Sequence, residues 1–263
     1  MIKRLNNLEN IAFAKAIFLT ILLTLLSSCK EGELAISSAS AQLQPIDSTI
    51  VAVDSLQQFI EPYRVNLSKQ MDSVISYNTR QMHKNDFKLN TPISNMFADI
   101  VRVQAAPVFK SRTGEDVNVI LLNHGGIRAP LSQGNVTMGN AYEIMPFENK
   151  IVVAQLSRTK MDSLISYLVE KKRAHPMQGM KITLKKDGSL KEALVNGKPL
   201  DDFDTFYVAT NDYLYSGGDN MSFFIDAPMT DLDYKLRNAI IDYLRKTDTL
   251  KFERDDRFDF ETN

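Results

Sequence analysis

Residues 117–128 read Val-Asn-Val-Ile-Leu-Leu-Asn-His-Gly-Gly-Ile-Arg, and this stretch decides how the chain is organised. Val117 to Leu122 is rich in β-branched and aliphatic side chains, as expected of a buried strand. Asn123-His124-Gly125-Gly126-Ile127-Arg128 follows at once, so a glycine turn sits on the end of that strand. Gly125 and Gly126 lack a Cβ and let backbone approach a ligand closely. Arg128 can present a planar fork of donors to phosphate or carboxylate oxygens.

A second strand, Thr205 to Thr210, ends in a comparable device. There Asn211-Asp212-Tyr213-Leu214-Tyr215 leads into Gly217-Gly218 and Asp219, an acceptor-only carboxylate suited to paired sugar hydroxyls. Tyr213, Tyr215, Phe147 and Phe223 lie in or near loops, where a flat base can stack on them for roughly 1–3 kcal/mol. Taken singly, glycine pairs after strands are usually only turns, an Arg in a turn is most often a solvated charge, and Phe147 can equally be core.

Working outward, apolar positions from Thr49 to about Thr79 recur near helical spacing, with Pro62 predicting a break and an extended or mixed continuation. Asn90 to Phe109 reads as a helix capped by Thr91, opened by Pro92 and stopped at Pro107, with an apolar face that includes Val103. Met138 to Pro146 reads as a short helix, Ile151 to Leu156 as a strand and Thr159 to Lys171 as a helix. Lys181–Lys185 and Leu190–Val195 suggest a hairpin around Asp187-Gly188, with a second tight turn at Asn196-Gly197. A last helix is expected from about Asp231 to Lys246, followed by a loose, charged tail. Helices interleaved with hairpins predict an α+β fold: a mixed β-sheet with flanking helices.

The N-terminus reads as an address. Lys3 and Arg4 precede an apolar run from Ile17 to Leu26, shorter than the ~20 residues of a spanning helix. The run ends in Leu26-Ser27-Ser28-Cys29, which resembles a bacterial lipobox, and Cys29 is the only cysteine. Residues 1–28 are therefore expected to be a lipoprotein signal peptide, 29–48 a lipidated tether rich in Ser, Ala and Gln, and 49–263 the folded domain. This places the protein on a bacterial membrane through its lipid, facing periplasm or cell exterior. Removing residues 1–28 leaves 28 basic and 31 acidic residues, a balance that gives no electrostatic case for nucleic-acid binding.

Three blocks together become specific. Asn123 to Arg128, then Gly134-Asn135-Val136-Thr137, then Tyr142-Glu143-Ile144-Met145-Pro146-Phe147-Glu148-Asn149 resemble the opening of the 5′-nucleotidase C-terminal domain. About sixty residues later, Thr210 to Asp219 resembles that family's T-N-D-F/Y-x-x-x-G-G-D. The resemblance covers roughly residues 85–245. It implies that Phe147 and Tyr213 sandwich a nucleobase, that Asn123 bonds the base, that Arg128 reaches the phosphate side and that Asp219 holds the ribose hydroxyls. Gly125, Gly126, Gly217 and Gly218 would keep backbone close to the ligand. His124 departs from the family's usual glycine, and the phosphate-contacting arginine expected near Pro92 is missing, leaving Lys84 or Lys88 as substitutes.

Family enzymes also carry a metallophosphatase domain with D-x-H and G-N-H-E/D motifs, whose two metals clamp water and phosphate. Neither motif is present, and of the three histidines His83 and His175 read as solvated surface groups. No catalytic or metal-ligating residue is therefore assigned, no cofactor is expected in this chain, and divalent metals are expected only in a separately encoded metallophosphatase partner. The expected role is the nucleotide-binding half of a 5′-nucleotidase-type phosphohydrolase, not hydrolytic alone. The alternatives are a non-catalytic nucleotide or nucleoside receptor, and an interaction protein that keeps the motifs only as turns.

Overall fold

The computed structural model describes residues 15–21 and 38–262. They belong to two compact units, Met1–Val53 and Asp54–Asn263. In the first, residues 15–21 are helical and exposed, and the Asp47 carboxylate closes a turn by accepting the N–H of Thr49 at 2.9 Å. Cys29, most of the expected signal peptide and residues 29–37 of the tether lie outside the described residues. Among the described residues no helix is long and apolar enough to cross a membrane.

The second unit opens with α1 (Asp54–Met71), β1 (Val74–Asn78), α2 (Pro92–Thr113), β2 (Val119–Leu121), β3 (Gly134–Thr137) and α3 (Met138–Ile144). It continues through β4 (Lys150–Leu156), α4 (Arg158–Lys171), β5 (Met177–Gln178), β6 (Met180–Leu184), β7 (Leu190–Val195) and β8 (Lys198–Pro199). It closes with β9 (Phe206–Asn211), the single turn α5 (Asp212–Tyr215), β10 (Met229–Lys235), α6 (Leu236–Leu244), β11 (Thr249–Leu250) and β12 (Phe258–Phe260).

A five-stranded mixed sheet of order β10-β4-β9-β2-β5 forms the centre, with β2 parallel to β9 and β4 antiparallel to it. Its two faces bury different side chains because successive residues of a strand point opposite ways. Ile120, Ile151, Val153 and Ala209 join one core with Phe97, Ile100 and Val101 of α2 and Ile240 of α6. Val119, Leu121, Ala154, Phe206 and Val208 join the other, with Leu164, Ile165 and Leu168 of α4. Burial on both faces is why β2 reads as a nearly continuous apolar run. Two smaller sheets flank it, β11-β1-β3 and β12-β6-β7-β8.

The fold class agrees with the sequence, and five local expectations need correction. Pro62 lies inside the unbroken α1, where no residue is buried, so water can serve the carbonyl its ring leaves unpaired. Pro107 likewise lies within α2, its ring on the exposed side. The helix ends instead at Gly114 (φ 79°), whose N–H donates to the Lys110 carbonyl at 2.8 Å. Val103 faces solvent, while Thr91 and Ser94 form the reciprocal cap. Residues 229–235 form strand β10 against β4, because Met-Thr-Asp-Leu-Asp-Tyr-Lys alternates with period two and only Leu232 is buried. The charged tail is docked rather than loose: Leu250 and Phe258 are buried, β11 pairs with β1 and β12 with β6. Arg257 bonds Asp99 (2.9 Å) and the Met177 carbonyl (2.8 Å), and the Asn90 and Asn95 side chains hold the tail's backbone.

Candidate functional site

Three neighbouring strands bring the sequence blocks to one edge of the central sheet. β2 and β9 run parallel, so their C-terminal ends, carrying Asn123 and Asn211, emerge side by side. β4 runs antiparallel to β9 with Ile151 opposite Asn211, so the Phe147–Asn149 segment entering β4 reaches the same edge. Side chains lock the junctions: Asn211 Nδ2 donates to Asn123 Oδ1 (3.2 Å) and Asn149 Nδ2 to Asp212 Oδ1 (2.8 Å). Asn211 is buried and also caps α5 by accepting the Leu214 N–H at 2.8 Å.

The edge holds a cavity of about 370 Å³ lined by Asn123, Gly125, Arg128, Phe147, Asn149, Tyr213 and Asp219. Phe147 and Tyr213 expose 41% and 44% of their surface, high values for aromatic side chains beside a core. The Arg128 guanidinium stands 5.8 Å from the centre of the Phe147 ring, and its Nη1 reaches the Gly125 carbonyl at 3.4 Å. Tyr213 donates its hydroxyl to Asp219 Oδ1 (2.8 Å) and accepts the Asp219 N–H (3.2 Å). That bond to the carboxylate is the main reason the Tyr213 phenol is pushed above its usual range.

The glycines have separable roles. Gly217 takes φ 89°, which a side chain rarely adopts. Gly218 lies under the Tyr213 ring, and an added Cβ would meet its Cζ at 2.5 Å and the Tyr213 carbonyl oxygen at 2.6 Å. At Gly126 a Cβ would press on Asn123 Oδ1 at 3.0 Å. Gly125 is different: a Cβ there would fit at ordinary contact distance, 3.5 Å from Asn123 Nδ2 and 4.0 Å from Asp219 Oδ2.

Of the expected binding residues, Asn123, Gly125, Arg128, Phe147, Tyr213 and Asp219 form the cavity wall. Gly126, Gly217 and Gly218 stand behind it and shape the turns that carry Asn123 and Tyr213. The unanticipated Asn149 completes the wall. It belongs to the Met145–Asn149 block, and that membership was the available signal. His124 turns away from the cavity: its Nδ1 lies 3.0 Å from the Ala174 carbonyl. His175 is not a solvated surface group. It is buried, with Nδ1 3.2 Å from the His124 backbone nitrogen and 3.3 Å from the Leu122 carbonyl. Burial pushes its ring down to about 4, so it is neutral near pH 7. Its neighbours along the chain, Arg173 and Pro176, hid this, since only the fold shows that residues 174–176 run beside Leu122 and His124, just past β2. Lys84 donates to the Ile127 carbonyl at 2.8 Å, whereas Lys88 is exposed in a neighbouring cleft. Among the described residues no group of three or more His, Cys, Asp or Glu is placed to hold a metal.

Arg237 was not anticipated either. Its guanidinium lies 4.3 Å from the Tyr142 ring centre, pairs with Glu148 and donates to the carbonyls of Met145 (3.4 Å) and Phe147 (3.3 Å). It ties α6 to the segment that carries Phe147.

An α+β domain with an aromatic, glycine-bordered cavity at the joined ends of two parallel strands defines the class. The chain belongs to the family "5′-nucleotidase, C-terminal domain", whose sequence model matches residues 70–226. Cell wall protein Lmo0130 of Listeria monocytogenes is 26% identical over 76% of this chain and 27% of its own length. The trifunctional nucleotide phosphoesterase protein YfkN of Bacillus subtilis is 24% identical over 84% of this chain and 16% of its own. Among solved structures, the 5′-nucleotidase precursor from Thermus thermophilus superposes with a TM-score of 0.64 at 20% identity, covering 79% of this chain and 43% of that one. The chain spans less than half the length of each.

Proposed function

We propose that this chain binds a nucleotide in the 370 Å³ cavity and presents it to a separate metallophosphatase, the pair acting as a 5′-nucleotidase-type phosphohydrolase outside the cytoplasm. The observation that carries the reading is the convergence of Phe147 and Tyr213 with Asp219, Asn123 and Arg128 on one cavity at the strand ends. Phe147 and Tyr213 supply ring faces for a base, Asp219 accepts from paired hydroxyls, and Arg128 donates to phosphate oxygens. In this role Asp219 must exchange the Tyr213 hydroxyl for a ribose hydroxyl or accept the sugar at its other oxygen, which faces Gly125. The names of the relatives, a nucleotide phosphoesterase and a 5′-nucleotidase, support a nucleotide as ligand. The cell wall relative supports an extracytoplasmic site of action, in keeping with a lipidated Cys29.

Calorimetric titration of the detergent-solubilised chain with adenosine, AMP and ATP tests the reading. Binding lost in both Phe147→Ala and Asp219→Ala is the expected result. Absence of binding by folded wild-type protein would overturn it. Adding the candidate metallophosphatase then separates half of an enzyme, which gains phosphatase activity, from a non-catalytic receptor, which does not.

A further inference from the structure

Asp219 is the single carboxylate in the wall of the 370 Å³ cavity, and one of its oxygens is already engaged from within the chain. Oδ1 accepts the Tyr213 hydroxyl at 2.8 Å, and the same phenolic oxygen accepts the Asp219 N–H at 3.2 Å. Two bonds thus latch the phenol to a single residue. The latch is held from both sides. Gly218 lies beneath the Tyr213 ring, where an added Cβ would meet Cζ at 2.5 Å. Asp219 keeps a left-handed φ of 52°, which suits glycine, and its carbonyl accepts the Tyr167 hydroxyl at 3.0 Å. The bond to the carboxylate, ahead of any other cause, raises the phenol above its usual range, so it remains a donor near pH 7. Oδ2 has no partner among the described residues and stands 4.0 Å from where a Gly125 Cβ would lie.

We propose that the Tyr213 hydroxyl sets the sugar specificity of this cavity: it keeps Oδ1 of Asp219, leaves Oδ2 for one sugar hydroxyl, and so admits 2′-deoxynucleosides and their phosphates about as well as the ribose forms. The inference rests on the nucleotide reading of the cavity and narrows its ligand. A vicinal diol grips a carboxylate best with one hydroxyl on each oxygen, and here one of the two places is taken. The phenol also competes with an advantage, because it is already in place and loses no translational freedom in making its bonds. Rejection of an analogue that lacks a hydroxyl comes mainly from the polar group left unpaired in the site. Tyr213 removes that penalty, since Oδ1 stays paired whichever sugar enters. Phenylalanine at position 213 would keep a ring face for the base and return Oδ1 to the sugar. The hydroxyl of Tyr213, rather than its ring, is therefore the group that decides between ribose and deoxyribose.

Isothermal titration of the detergent-solubilised full chain with adenosine, 2′-deoxyadenosine and 2′,3′-dideoxyadenosine tests it, in wild type and in Tyr213→Phe. One hydroxyl bond to a carboxylate corresponds to about tenfold or more in affinity. Wild type should bind adenosine and 2′-deoxyadenosine within about threefold of each other, and the dideoxynucleoside about tenfold or more weakly, because it offers Oδ2 nothing. In Tyr213→Phe the preference for adenosine over 2′-deoxyadenosine should rise to about tenfold, as Oδ1 gains a second sugar bond. A wild-type preference for adenosine that is already about tenfold overturns the latch and leaves the nucleotide reading standing. An unchanged ratio in Tyr213→Phe, or undiminished binding of the dideoxynucleoside, overturns the latch as well. Absence of binding by all three nucleosides to folded wild type overturns the nucleotide reading and the latch with it. The wild-type series by itself decides between one hydroxyl bond and two, whether or not the variant folds.

Discussion

Replacing Arg237 by Met tests whether the stacking segment is held from behind. The Arg237 side chain is only 6% exposed, so the change removes a nearly buried cation of similar length. Its bonds to the Met145 and Phe147 carbonyls, at 3.4 and 3.3 Å, are long and contribute about 1 kcal/mol each. The pair with Glu148, whose side chain is 59% exposed, contributes at most about 1 kcal/mol. The Tyr142 ring beneath the guanidinium adds roughly 1–2 kcal/mol. Against this, methionine avoids the several kcal/mol spent in taking a guanidinium out of water, and Nε has no partner at all among the described residues. The net loss expected is about 2 kcal/mol, a fall in Tm of roughly 4–8 °C for a domain of this size.

Stability alone does not distinguish a brace from a positioning residue. If Arg237 positions Phe147, freeing the Phe147 carbonyl loosens the ring, and adenosine affinity falls in Arg237→Met. Phe147→Ala then costs less affinity in the Arg237→Met background than in wild type, with a coupling of about 1 kcal/mol or more. Additive losses in that double-mutant cycle, or an unchanged adenosine affinity, would refute the positioning argument while leaving the stability loss intact.

Gly218→Ala should destabilise by about 1–3 kcal/mol and abolish adenosine binding, because the new Cβ meets the Tyr213 ring and the backbone carbonyl that cannot yield. Gly125→Ala should weaken adenosine binding with little change in Tm, since its Cβ meets Asn123 Nδ2 at 3.5 Å and Asp219 Oδ2 at 4.0 Å, ordinary contacts on the cavity wall. His175 has a folded-state value of about 4 against an ordinary 6.5, so the unfolded chain binds its proton first. Its contribution is complete above pH 6.5 and is lost as pH falls toward 4, about 3 kcal/mol in all. His175→Asn should therefore flatten the Tm profile between pH 4 and 6.5 relative to wild type. Arg257→Ala should release the tail, seen as faster hydrogen exchange in 249–260 and a loss of about 2–4 kcal/mol, since Asp99 loses its guanidinium partner; unchanged exchange would mean that Leu250 and Phe258 anchor the tail unaided.

Much of the local structure was legible in the chain because local interactions determine it. The run Val117–Leu122, the Thr91–Pro92 helix start and the Asp187-Gly188 hairpin each carry their own signal within a few residues, and each is where the sequence placed it. The prolines misled because their effect depends on what surrounds the freed carbonyl. Pro62 and Pro107 stand on exposed helix faces where water can replace the missing bond. The strand at 229–235 was obscured by its acidic residues, which lie on the solvent side of an edge strand, with Lys150 of β4 paired to Asp231 and Asp233.

By itself the sequence supplied the side chains of the candidate site: two glycine turns, two aromatic residues, an arginine and an aspartate in family order. Tertiary structure decided which of these share a cavity, because the parallel pairing of β2 with β9 and the antiparallel entry of β4 join segments far apart in the chain, such as those of Asn123 and Asn211. It also decided the fate of groups with no local signal. His175 is neutral because Leu122, His124 and Tyr167 pack around it, Arg237 reaches Phe147 only through the packing of α6, and Lys84 meets Arg173 only across a cleft. A side chain's charge state and partners follow from the dielectric and the neighbours that folding supplies, and these are properties of the assembled core rather than of any stretch of chain.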